Sequence, residues 1–85
     1  VTFIARIRVM PRAGLLDPQG QAVASALCAL GFAGIEAVHV GRELEIRLSG
    51  ASADEVRGRV HEMCERLLAN PVTEDYVVDA VEAAA

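Results

Sequence analysis

The chain switches repeatedly between two hydrophobic periods, and the order of those switches leaves few folds open. Thr2 to Met10 (TFIARIRVM) alternates, with Phe3, Ala5, Ile7 and Val9 on one side and Arg6 and Arg8 on the other. That is the pattern of a strand covered on one face. Pro11 removes a ladder donor and ends it. Asp17 then offers an N-cap, Pro18 suits the first helical position, and Gly31 can adopt the left-handed conformation past the end, so the spacing predicts a helix from Pro18 to Leu30. Its apolar stripe would be Ala22, Val23, Ala26, Leu27 and Leu30, leaving Gln19, Gln21 and Ser25 to water or a partner.

Period two returns in Ile35 to Val40 (IEAVHV) and Glu43 to Leu48 (ELEIRL), read as a hairpin across Gly41-Arg42. Ser52 to Glu55 (SADE) is a capping box that opens a second helix. Its buried stripe is expected at Ala53, Val56, Val60, Met63, Leu67 and Leu68, and Asn70-Pro71 stops it. Val72 to Val81 (VTEDYVVDAV) supplies a last strand interrupted by acidic residues, whose final turn has a helical alternative, and the Ala83-Ala84-Ala85 tail is expected to fray.

The order β-α-β-β-α-β implies an α+β, two-layer sandwich of ferredoxin-like type: an antiparallel four-stranded sheet with two helices on one face. All 85 residues form a single domain, 1–85, in this reading. A chain of that size buries only roughly 60% of its unfolded surface, so association is expected. If Ile4, Met10, Val38 and Val40 look away from the helices, the second sheet face needs cover from another copy or a partner.

Composition excludes several functions. Eight basic against twelve acidic side chains give a net charge of -4, and nucleic-acid binding needs a basic face. Only Phe3, Phe32 and Tyr76 are aromatic, too few for base stacking. No apolar run approaches the roughly 18 residues of a membrane span, and no signal peptide is visible, so the expected compartment is the cytoplasm. Cys28 and Cys64 lack CxxC spacing and read as buried, reduced thiols. His39 and His61 have no second ligand at metal-binding spacing and read as surface or lightly buried histidines. Catalysis by Cys64 would require one of those histidines to come close in space. Glu74 and Asp75 would point to opposite faces of a strand, which argues against a paired-carboxylate mechanism. Single glycines such as Gly41 and Gly50 make no phosphate-binding loop. Gly20 is anomalous, because glycine inside a helix costs about 1 kcal/mol relative to alanine. Either the helix tolerates it or another chain approaches closely there; in the second case alanine would leave the isolated fold intact and weaken assembly.

Three stretches together, GLLDPQGQAV (14–23), VHVGRELEI (38–46) and MCERLLANPVTEDY (63–76), resemble the PurS family, the small subunit of phosphoribosylformylglycinamidine synthase. Asp17, Pro18, Gln19, Gly20, Gly41, Asn70, Pro71, Glu74 and Tyr76 match the family pattern as they stand. Arg12 replaces a lysine, which keeps the charge and changes its shape. His39 and Arg42 stand where the family usually has Arg and Lys.

The resemblance implies a non-catalytic subunit in de novo purine synthesis. The complex converts formylglycinamide ribonucleotide, glutamine, ATP and water to formylglycinamidine ribonucleotide, glutamate, ADP and phosphate. A PurQ-type glutaminase and a PurL-type synthetase do the chemistry, with ATP and magnesium on the large subunit and no cofactor on this chain. The small subunit is expected to form a homodimer that bridges the two and assists ammonia transfer. The residues implied as partner-facing are Arg12, Asp17, Gln19, Gly20, Gly41, Arg42, Asn70, Glu74 and Tyr76; no catalytic or metal-ligating residue, no nucleic acid and no membrane are expected. The alternative reading is a free-standing dimeric domain that regulates by binding a small ligand between protomers.

Overall fold

One strand organises everything the chain buries. In the computed structural model, which describes residues 1–84, β1 (Thr2–Pro11) pairs antiparallel with β2 (Arg42–Ser49) on one side and β3 (Glu74–Ala83) on the other, giving the order β2-β1-β3. The alternation read from TFIARIRVM is reproduced: Ala5, Ile7 and Val9 are fully buried and Phe3 nearly so. α2 (Ala53–Met63) lies over β1 and β3, and Val56 and Val60 seal the core against them. Its capping box forms, with Ser52 Oγ accepting from Glu55 N at 3.2 Å and the Glu55 carboxylate accepting from Ala51 N at 2.7 Å.

α2 runs on into a π-helical turn, Cys64–Leu68, closed by Ala69 N donating to Cys64 O at 3.1 Å. The wider turn shifts the helical phase. Leu67, expected in the buried stripe, is therefore 82% exposed, whereas Cys64 is fully buried. Ala53 is also exposed, at the first turn. The last strand is a strand to its end, with a bulge that makes Asp79 the extra residue between Arg6 and Ile7 of β1. Ala84 N donates to Thr2 O at 2.8 Å, so the expected fraying does not begin at Ala83 or Ala84, and Ala85 lies outside the described residues.

Two expectations are corrected. The sheet of the described residues has three strands, not four, because Ile35 to Val40 runs extended without joining a ladder. And α1 (Pro18–Ala29) does not lie on the sheet: only Gly20 is buried, while Val23 and Leu30 are 40% and 74% exposed. Cys28, expected to be buried, is exposed for the same reason. α1 and the returning segment 33–41 form an arm beyond the end of β1. The molecule measures 50 × 30 × 14 Å with a radius of gyration of 16.4 Å, against about 12 Å for a compact chain of this length.

The sheet face away from α2 mixes charged pairs with the partly exposed apolar side chains of Ile4, Met10 and Val77. Ile4 and Met10 lie on it as expected, but Val38 and Val40 are outside the sheet. Arg6 pairs with Glu45 at 3.0 Å and Glu82 at 3.6 Å, Arg8 with Asp79 at 3.3 Å, and Arg12 with Asp75 at 3.3 Å. Exposed pairs of this kind add little stability each, yet they make the surface wettable.

Ile7→Ala, at the buried centre of the sheet, should cost about 3 kcal/mol. Leu67→Ala should stay within about 0.5 kcal/mol, the reverse of what an uninterrupted α-helical stripe requires. Urea unfolding midpoints of the two variants check both.

Candidate functional site

The residues shared with the PurS pattern gather at one end of the sheet, where the arm leaves it, and they make two clusters. In the first, the Asp17 carboxylate reaches in two directions. Its Oδ1 accepts from Gly20 N at 3.0 Å, the expected cap, and its Oδ2 accepts from Val40 N at 2.9 Å. His39 Nδ1 stands 3.7 Å from the same Oδ2. The backbone donors of Gly20 and then Val40 hold the Asp17 carboxyl below its ordinary value.

Gly20 is explained by the same contact. A Cβ at that position would lie 2.0 Å from Val38 O and 2.9 Å from Val38 C. The close approach is thus made by this chain's own backbone, a case outside both alternatives of the sequence reading, tolerance and the approach of another chain. Gly41 is pinned in the same way: a Cβ there would lie 2.2 Å from Met10 Sδ and 2.3 Å from Val9 O.

The second cluster holds the turn between the π-helical segment and β3. Arg42, at the start of β2, forks onto Glu74 at 2.5 and 3.0 Å and donates to Leu68 O at 2.6 Å. Glu74 also accepts from Asn70 N at 2.8 Å, and Asn70 Oδ1 accepts from Val72 N at 2.9 Å. A bidentate guanidinium-carboxylate pair fixes direction as well as distance, and it holds the Glu74 carboxyl below its ordinary value. Arg12 grips the turn from outside, donating to Pro71 O at 2.9 Å and to Asp75. As expected for a strand, Glu74 and Asp75 diverge, each to a different arginine.

Tyr76 stands apart from both clusters. Its hydroxyl donates to Glu65 at 2.8 Å and lies 3.3 Å from His61 Nδ1. The hydrogen bond to Glu65 pushes the phenol up to about 12. Neither His61 nor Glu65 was singled out from the sequence as a contact; the signal was their position on α2 and the π-helical turn, facing β3. Gln19 is exposed on the first turn of α1.

Between the two clusters opens a cleft of about 380 Å³ lined by Leu15, Leu16, Asp17, Val40, Thr73 and Glu74. Leu15 and Leu16 are 44% and 74% exposed, an apolar lip the capping analysis passed over. The arrangement holds backbone in place rather than activating a nucleophile. Cys64 is buried, and burial together with Glu65 raises its thiol, so it stays protonated. His39 and His61 are exposed, as the sequence suggested, and both cysteines are free. Among the described residues no three His, Cys, Asp or Glu side chains converge to hold a metal ion, and no helix is long and apolar enough to cross a membrane.

A small α+β domain of this kind, with its shared polar residues spent on bracing a turn and a projecting arm, belongs to the class of subunits that act within a larger assembly. Comparison with known proteins supplies the assembly. The family model described as PurS, phosphoribosylformylglycinamidine (FGAM) synthase, matches residues 4–82. The PurS subunit of Bacillus subtilis is 36% identical over 98% of this chain and 98% of its own length, and that of Mycobacterium leprae 42% identical over 87% and 90%. Thermus thermophilus PurS superimposes with a TM-score of 0.89 at 35% identity, covering 100% of both chains. A chain of the Thermotoga maritima PurLQS structure does so with a TM-score of 0.84 at 26% identity, covering 92% and 95%. The chain belongs to the PurS family and is a subunit of phosphoribosylformylglycinamidine synthase, a ligase of purine biosynthesis, and the free-standing regulatory domain is not favoured.

Gly20→Ala should lower stability by about 1–3 kcal/mol, because the new methyl meets backbone rather than a yielding side chain; thermal unfolding reads it. A second expectation concerns acid. Asp17 and Glu74 titrate lower in the folded chain than their ordinary values of 3.8 and 4.5. Their hydrogen bonds therefore contribute fully at neutral pH and are lost as pH falls through the lowered values. Urea midpoints should decline below about pH 5, and Asp17→Asn should show a lower neutral plateau with a shallower acid decline.

Proposed function

We propose that this chain, as a single domain and a homodimer, bridges the glutaminase and synthetase subunits of the synthase in the cytoplasm and assists the passage of ammonia between them. The observation that carries the reading is the likeness of the whole arm-bearing fold to a chain of the PurLQS structure. The chemistry rests with the two larger subunits, ATP and magnesium being held by the synthetase. This chain contributes shape: Arg12, Arg42, Asn70 and Glu74 hold the turn before β3, and Asp17, Gly20 and Gly41 hold the base of the arm.

With those side chains locked, what meets the larger subunits is the surface they present. Leu15 and Leu16 at the cleft, exposed Gln19 on the arm, and the Val72 side chain at the braced turn, 74% exposed, offer apolar anchors beside fixed polar groups. Interfaces of this composition concentrate binding energy in a few well-held side chains. Tyr76, tied to Glu65, lines a hollow with Arg12, Pro71 and Glu74.

Omitting the chain from a mixture of the two large subunits should abolish turnover driven by glutamine while turnover driven by added ammonium falls much less. Equal glutamine-dependent rates with and without it would overturn the bridging role. Arg42→Ala should fall between the two, since it frees the braced turn without removing the subunit.

A further inference from the structure

β3 has a strand neighbour on one side only. Ala84 N donates to Thr2 O and Arg12 N to Thr73 O, each at 2.8 Å, so the even-numbered residues of β1 turn their backbone groups toward β3. In the observed register they meet Asp75, Val77, Ala80 and Glu82. The N–H and C=O groups of Tyr76 and Val78 therefore point outward, and no backbone group among the described residues bonds to them. An open row of this kind is a template for another strand. The bulge at Asp79 interrupts the edge after Val78, so its regular stretch is the one nearest the braced turn. Tyr76 and Val78 lean against the core on the α2 side, where the Tyr76 hydroxyl meets Glu65 and His61.

Charge at this end of the edge has one sign in excess. The hollow there, about 360 Å³, is lined by three carboxylates, those of Glu65, Glu74 and Asp75, against one basic side chain, Arg12. Glu74 is paired with Arg42 and Asp75 with Arg12. Glu65 accepts the neutral Tyr76 hydroxyl and has no basic partner among the described residues.

We propose that the edge of β3 at Tyr76 and Val78 takes up an extended, basic segment of one of the two larger synthase subunits, whose lysine or arginine head enters the hollow against Glu65. The proposal rests on the bridging role and names where one of its contacts is made. Backbone pairing supplies affinity in strand addition, and the side-chain pocket selects the segment. A second copy of the chain is the poorer occupant. β3 carries Glu74, Asp75, Asp79 and Glu82 and no basic residue. Two such strands paired antiparallel about Val78 set Glu74 of each opposite Glu82 of the other, a destabilising like-charge pair.

Amide hydrogen exchange of the full chain tests this, first alone and then with the two larger subunits, read residue by residue after quenching. The Tyr76 and Val78 amides should exchange freely in the chain alone and slow about tenfold or more in the co-eluting complex. Slow exchange in the chain alone would mean that a second copy holds the edge. Unchanged exchange in the complex would mean that the larger subunits bind elsewhere. Either result overturns the proposal and leaves the bridging role standing. Glu65→Gln keeps an acceptor for Tyr76 and removes the charge. Its apparent Kd for the larger subunits, from glutamine-dependent turnover titrated with the chain, should rise about fivefold at low salt, the difference shrinking as salt is added. An unchanged Kd overturns the basic occupant. A chain that does not co-elute with the larger subunits at all removes the bridging role, and this proposal with it.

Discussion

The carboxylate of Asp17 decides where the middle of this chain goes. One oxygen caps α1 and the other holds Val40 N, so the helix start and the end of the returning segment share a single anchor. Gly20 makes that geometry possible by letting the Val38 carbonyl sit where a side chain would be. Without the anchor, Ile35 to Val40 would be free to fold back at Gly41-Arg42 as the alternation in its sequence invites. With it, the arm is a braced unit and the sheet of the described residues has three strands. Residues that look like an ordinary helix start therefore set the outline of the molecule.

The other end of the same site is held by charge. Arg42 ties the start of β2 to Glu74 at the start of β3 and to the carbonyl of Leu68, while Arg12 grips the turn between them. Three separate stretches of sequence meet there. The fork is half-exposed on the arginine side and better shielded on the glutamate side, so its value lies more in direction than in energy. The outcome is a turn of fixed backbone beside a cleft edged by the exposed Leu15 and Leu16.

Much of this was legible in the sequence. The strands around Ile7 and Ile46, both N-caps and the helix stops follow from periodicity and capping chemistry, which are local. The placement of α1 and of 35–40 is not local. Their patterns state correctly which side chains are apolar, but not whose sheet they face, and the deciding hydrogen bond from Val40 to Asp17 spans a helix and a loop. The site was legible in the same partial way. Asp17, Gly20, Gly41, Arg42, Asn70 and Glu74 stood out through the family resemblance, while their mutual contacts, and those of His61 and Glu65 with Tyr76, needed the fold. Gly20 shows the difference: its cost was visible, and the atom that justifies it was not.

The π-helical turn after α2 carries a consequence for how the chain's spacing should be read. The buried residues along this element are Val56, Val60, Cys64 and Ala69, so the core-facing step lengthens by one residue at the turn. A chain with one residue fewer between Cys64 and Ala69 would restore the step of four that sets Val56, Val60 and Cys64 on one face. In that respect the count of residues from Cys64 to Asn70 matters more than which residues they are.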